Sequence, residues 1–391
     1  MPSKIISLNN IHPLSTDAVM KKVERFIKSL NIKNRKVLFI CEDITRSTPI
    51  NLFFPRLLQY VHTQTNDIAV LFALGTHRSM TMEEMIEKLG ISRRQTQYIQ
   101  LINHDALDDK QLVAVGKVCN VIFKVNSAIA DADIVIGISN SLPHKVMGFS
   151  GGPKLICIGT GNKDFIDYSH WLSNSISESR VVAQVNNPMR DLLNRVFKML
   201  QDEVKADFFS INFVSAQEKI LAAYMGDFFR VYQAAAKKSR QLFIKKIVPR
   251  NSVLAILDDK SLDFWQASKA VYNCVGAIGK GGFIVVRGLL PDKISPVHGK
   301  IIEKYGYQKR AKLRKLIAEG KLNDVVVASH MMRVGKCLER IKVFISSENI
   351  DADLCRRVNF SYIDPLKIRN MKFDYIVHNP VDITLINKYG D

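Results

Sequence analysis

Cysteine is scarce in this chain, with six in 391 residues and no CxxC pair. That is too sparse for a disulfide framework, so a reduced, cytoplasmic compartment is expected. Long apolar runs are missing too. No uncharged stretch approaches the ~18 residues that a membrane-spanning helix needs, which argues against a membrane protein. The opening MPSKIISLNN has no apolar core of the kind a secretory signal carries. Internal repeats and low-complexity tracts are absent. A composition of 47% hydrophobic and 24% charged residues excludes disordered, collagen-like and coiled-coil chains. Acidic residues are the last deficit: 37 against 56 basic ones, a formal charge of +19.

Such an excess raises the question of nucleic acid. Two clusters supply much of it: Lys237, Lys238, Arg240, Lys245, Lys246 and Arg250, then Lys309, Arg310, Lys312, Arg314 and Lys315. Neither is interleaved with the aromatics that stack single-stranded bases, and no zinc-finger spacing or RNP signature is present. Both are expected on exposed helix faces. A positive field also concentrates a small anionic substrate, and that reading is preferred here to nucleic-acid binding.

The length favours two or three domains. Short β-branched runs alternate with helix-like segments, the pattern of an α/β fold. Strands are expected at residues 36–41, 68–74, 133–138 and 208–214, and after the basic stretch at 253–257, 282–286, 325–329, 341–346 and 375–377. A helix is expected over 52–62, and Thr81 with Glu84 has capping-box spacing for another. The alternation restarts after Pro249. The reading is two α/β domains, 1–245 and 246–391, with a ligand cleft between them.

Ligands of open α/β sheets gather at the carboxyl ends of strands. Three polar clusters sit there. Glu42-Asp43-Ile44-Thr45-Arg46-Ser47-Thr48-Pro49 follows the first strand, and Thr48 before Pro49 suits a helix N-cap, hence a phosphate cradle. The plainer alternative is a capped turn with an Asp43–Arg46 ion pair. Gly75-Thr76-His77-Arg78 follows the second strand and offers a histidine able to titrate near neutral pH. The third cluster is the densest: Ser139 to His144, Gly148-Phe149-Ser150-Gly151-Gly152-Pro153-Lys154, Gly159-Thr160-Gly161 and His170. It is not a Walker A loop, because Pro153 stands at the second-glycine position and Leu155 replaces Ser/Thr. Nor is it a dinucleotide fingerprint, since Asp164 stands where a third glycine belongs.

Taken together, HKVMGFSGGPK with His170 sixteen residues after Lys154, the upstream DITR and GTHR elements, and Gln266-x-x-Lys269 resemble the nickel-pincer lactate racemase family. The matching elements keep the family's order and span residues 43 to 269.

The resemblance implies a set of roles. Lys154 would carry a pyridinium-3-thioamide-5-thiocarboxylic acid mononucleotide as a thioamide, and His170 would complete the ligands of a square Ni(II) whose other donors are one carbon and two sulfurs. Asp43, Ile44, Thr45 and Arg46 match the cofactor-contacting loop. Gln266 and Lys269 match active-site residues, with Lys269 or Arg46 on the substrate carboxylate. His77 and His144 match two catalytic histidines. In the family, hydride leaves the substrate α-carbon for the pyridinium ring and returns to the other face. The two enantiomers present their hydroxyl on different sides, so two bases are required. Implied partners are a small anionic 2-hydroxy acid and the host enzymes that build the cofactor. Two departures stand out: Trp265 replaces a family tyrosine, and Cys157-Ile158-Gly159 replaces a Pro-Gly pair. The alternative within the same resemblance is a non-catalytic protein that keeps the cofactor site.

Overall fold

The computed structural model describes residues 3–8, 11–217, 219–258, 261 and 263–390. The chain divides into two compact units. His12–Ser169 with Ile176–Leu242 form the N-terminal unit, and Phe243–Asp391 with Met1–Ile11 and His170–Ser175 form the C-terminal unit. A single cut at 245/246 leaves out these two excursions, which pattern reading has no means of seeing.

Each unit is α/β. The N-terminal unit holds a six-stranded sheet in the order Lys219–Gly226, Asp207–Ala216, Ile134–Asn140, Val37–Glu42, Ile68–Ala73, Gln100–Asn103. All neighbours are parallel except the first pair. The central strands Val37–Glu42, Ile68–Ala73 and Ile134–Asn140 are buried apolar runs, as parallel strands covered on both faces must be. The sheet is doubly wound. After Val37–Glu42 the chain steps outward to Ile68–Ala73 and Gln100–Asn103, then returns to the other side at Ile134–Asn140. The point of reversal lies between Val37–Glu42 and Ile134–Asn140.

The C-terminal unit holds a second six-stranded sheet, all parallel, in the order Lys4–Ile6, Tyr375–His378, Arg250–Ile256, Ile278–Arg287, Lys342–Ser346, Ser361–Tyr362. The helix Phe264–Cys274 follows Arg250–Ile256 in sequence.

Several local expectations need correction. Residues 325–329 begin the helix Val325–Leu338, not a strand. Asp324 caps it by accepting from the Val327 amide, and burial on every side removes the periodicity that separates helix from strand in a short apolar run. Thr48 is no N-cap: its hydroxyl donates to the Glu42 carboxylate, and the turn Ile50–Leu52 has no side-chain cap before the helix Phe54–His62 begins. In the first basic cluster only Lys237, Lys238 and Arg240 lie on a helix, Phe228–Phe243. Lys245 and Lys246 are in the strand Ile244–Ile247, and Arg250 begins another. Among the described residues no helix is long and apolar enough to cross a membrane.

Candidate active site

The N-terminal sheet presents polar groups at the reversal point of its strand order, the place where open α/β sheets commonly bind ligands. Glu42 bridges the two strands that flank this point. Its Oε2 accepts from the Asn140 amide at 3.1 Å and from the Thr48 hydroxyl. The Asn140 side chain exchanges two 2.9 Å hydrogen bonds with the backbone of Ser215, fixing the next strand.

Asp43 follows and is 4% exposed. Its Oδ1 accepts from the Thr45 amide at 2.8 Å and from the Thr45 hydroxyl at 2.5 Å, and its Oδ2 accepts from His77 Nδ1 at 2.6 Å. Burial alone would raise this carboxyl's pKa. The His77 bond and charge, the Arg46 charge and the Thr45 bond outweigh it and hold the group well below the usual carboxylate range. The ion pair with Arg46 foreseen as the plainer alternative gives way to this pairing with His77. The His77 proton on Nδ1 belongs to that bond, so Nε2 is the atom positioned to take a proton. His77 is set by a tight turn after Ile68–Ala73, in which Gly75 at φ +56° donates to the Gly159 carbonyl and His77 to the Leu74 carbonyl.

His144 pairs with Gly148 in a short antiparallel ladder. Its Nδ1 accepts from the Val146 and Met147 amides at 3.2 and 3.3 Å, so the neutral ring carries its proton on Nε2. The two histidines are therefore held in opposite tautomers.

The glycine loop leads to Lys154 on the helix Pro153–Cys157. Gly151 and Gly152 adopt φ +78° and +60°, and a Cβ on Gly152 would lie 2.7 Å from the Tyr232 side chain. Arg190, 1% exposed, straps this loop. Nε donates to the Met147 carbonyl at 3.1 Å, Nη1 to Gly151 at 3.0 Å and Nη2 to Phe149, with the guanidinium stacked 4.0 Å over Tyr232. Lys154 is partly buried, and Arg46, Glu42, Arg190 and Asp43 are its charged neighbours. Burial and then Arg46 lower the amine to about 8, against the opposing pull of Glu42. Burial in turn pushes the Glu42 carboxyl upward.

Asp43, Thr45, Arg46, His77 and Lys154 thus gather at one end of one sheet. Ile44 instead packs against the unit's apolar core. His170, Gln266 and Lys269 belong to the C-terminal unit. There Asp263 caps the helix Phe264–Cys274, and Lys269 Nζ donates to Gln266 Oε1 at 2.8 Å. The His170 carbonyl accepts from the Ser329 hydroxyl at 3.0 Å. Glu42 was named in the first polar cluster without a role of its own, and Arg190 was not singled out from the sequence. For Arg190 a signal existed: a charge within the apolar stripe Met189, Leu192, Leu193, Val196.

Residues 16–182 match the family model of the lactate racemase N-terminal domain. Curated lactate racemases of Thermoanaerobacterium thermosaccharolyticum and Lactiplantibacillus plantarum are each 24% identical, over 263 and 259 residues. These matches span 64% of this chain and 59% of the relatives' length. A Thermotoga maritima protein of known crystal structure superposes with a TM-score of 0.83 at 26% identity, covering 95% of this chain and 98% of that one. The lactate racemase apoprotein of T. thermosaccharolyticum superposes with a TM-score of 0.80 at 18% identity, covering 98% and 94%, a likeness of fold.

Proposed function

The chain belongs to the lactate racemase family, and from that premise we propose that it inverts the α-carbon of a short 2-hydroxy acid with a nickel-pincer nucleotide tethered to Lys154. The carrying observation is the Asp43–His77 pair beside an amine whose pKa lies near 8.

The residues present fit such a group. An amine that is neutral in part at working pH has a free lone pair with which to form a thioamide link, which an ordinary lysine ammonium lacks. The buried Asn212 Nδ2 beside Gly151 has no hydrogen-bond partner among the described residues, leaving a donor for an acceptor on the bound nucleotide. Among the described residues no three His, Cys, Asp or Glu side chains are arranged to hold a metal, so nickel at His170 depends on donors that the nucleotide brings. When bound, the group would supply a hydride acceptor next to its metal.

The chain's own residues do the rest. His77 receives the substrate hydroxyl proton at Nε2, and Asp43 stabilises the imidazolium that results. For the opposite enantiomer the group facing the hydroxyl is His144 Nε2, which carries a proton in this structure and acts as a base only after releasing it. Lys269, steadied by Gln266, binds the carboxylate, and Arg46 faces the nucleotide phosphate or shares that anion. Protein co-expressed with the cofactor-building enzymes is expected to hold stoichiometric nickel, to gain mass at Lys154, and to racemise a 2-hydroxy acid in D₂O without deuterium entering the α-carbon. Cofactor binding with no turnover across lactate, malate and longer 2-hydroxy acids overturns the enzymatic reading. Deuterium entering at the racemisation rate overturns the hydride route.

A further inference from the structure

His170 lies in the last turn of the helix Lys163–Leu172, where backbone carbonyls run out of helical amides to accept from. Two side chains donate to its carbonyl instead. The Ser329 hydroxyl does so at 3.0 Å and the Ser173 hydroxyl at 2.5 Å, which occupies both lone pairs of one oxygen. Each hydroxyl is itself held. Asn174 Nδ2 donates to Ser329 Oγ at 2.9 Å, and Arg333 Nη2 donates to Ser173 Oγ. With its one proton committed to His170, each serine turns a lone pair to that second partner. The network is buried, with Ser329 1% and Arg333 8% exposed.

Ser329 and Arg333 stand one turn apart on the helix Val325–Leu338, which is buried on nearly every side. Between them, His330 Nε2 lies 2.9 Å from the hydroxyl of Ser268 on the helix Phe264–Cys274. The helix Val325–Leu338 is thus a fixed reference within the C-terminal unit. An ordinary helix end is satisfied by one side chain, a following amide or water. This carbonyl takes two hydroxyls, one of them from 159 residues downstream, and both are locked from behind.

We propose that Ser329 and Arg333 are positioning residues for His170, fixing the backbone from which its imidazole is presented to nickel. The proposal deepens the function above and rests on His170 being the chain's own nickel ligand. Helix ends fray, and a histidine on a frayed turn has to be ordered each time it takes the metal. One whose carbonyl is already pinned meets the metal without that loss. Partners behind a metal's ligands are commonly worth about 10- to 100-fold in metal affinity. Ser329 acts directly on the main chain of His170, and Arg333 acts through Ser173.

Release of nickel from the cofactor-loaded protein to excess chelator tests the proposal, read as metal remaining on the protein and not as turnover. We expect Ser329→Ala to lose nickel about tenfold faster than the unaltered protein and Arg333→Met severalfold faster, while Ser329→Thr, which keeps the hydroxyl, stays within about twofold. His170→Ala should lose it faster than any of these. In that background Ser329→Ala should add nothing, because the residue it positions is gone. The mass added at Lys154, in the other unit, should be the same in every variant. Should Arg333→Met not fold, Ser329→Ala, which removes a single buried oxygen, decides the point. Unchanged release from folded Ser329→Ala, or the same acceleration with and without His170, overturns the positioning role and leaves the function standing. An unaltered protein that holds no nickel, or His170→Ala that keeps it as long, overturns the reading beneath.

Discussion

Asp43 matters through what it does to one ring. With Oδ1 occupied by Thr45 and Oδ2 by His77, the carboxylate fixes both the tautomer and the orientation of the imidazole. Asp43→Asn keeps the shape and removes the negative charge. Racemisation should fall about 10²- to 10⁴-fold, the usual worth of a positioned acid–base group, and equally from either enantiomer, as a chiral assay in both directions would show. Lys154 invites a different measurement. Its pKa falls to about 8 in the folded state from an ordinary 10.5, so between those values the unfolded chain binds more protons and stability must rise with pH. The ammonium's penalty is present in full below pH 8 and gone above about 10.5. Urea denaturation of the cofactor-free protein and of Lys154→Met should show the variant's advantage shrinking across that window, and a constant difference refutes the assignment. Both residues stand out in the sequence because they lie in short motifs, and the roles proposed for them come from the resemblance those motifs carry. Glu42 and Arg190 were not assigned roles, because theirs consist of reaching Asn140, 98 residues downstream, and three carbonyls about 40 residues upstream. Such distances leave no local pattern.

At the level of elements, the helix Met82–Leu89 shows how much a local rule can carry. Thr81 accepts from the Glu84 amide, Glu84 Oε2 accepts from the Thr81 amide at 2.9 Å, and Gly90 closes the far end at φ +67°. The capping box is as the spacing implies. Glu84 also takes Arg78, and that bond brings its pKa down to about 2. Glu84→Ala should cost about 1 kcal/mol near neutral pH, the ordinary worth of a cap. A depressed carboxylate contributes above its unfolded value near 4.5 and loses the contribution as pH falls toward 2. The two proteins should therefore converge in stability over that interval, as denaturant titrations at pH 7, 4 and 2.5 would show. Where the local rule failed, another force prevailed. Residues 325–329 are as β-branched as any strand, yet the run continues into a 14-residue helix buried on nearly every side, which tertiary packing rather than periodicity decides. Thr48 is a good cap by type, but the Glu42 carboxylate offers its hydroxyl a partner in the partly buried strand end and takes it from the turn.

The whole molecule was legible as two α/β units because alternating buried runs and amphipathic segments survive averaging over hundreds of residues, whereas the N-terminal strand and His170–Ser175 joining the C-terminal unit are long-range pairings that no window contains. The charge of +19 belongs to this scale as well. Lys312, Arg314 and Lys315 are exposed on the helix Arg310–Ala318, and Lys237 and Arg240 on Phe228–Phe243. Charges so placed add little to stability but sum to a field that reaches a Debye length, about 30 Å at 0.01 M salt and about 8 Å at 0.15 M. A small carboxylate is drawn by that field during its approach and no longer once bound. Raising salt across this range should thus lower kcat/KM for a 2-hydroxy acid severalfold while leaving kcat at saturation nearly unchanged. An inhibitor built as the uncharged 2-hydroxy amide should bind with the same Ki throughout, since it feels no such pull. If acid and amide respond alike to salt, the basic surface does not serve the substrate, and its purpose must be sought in a larger anionic partner.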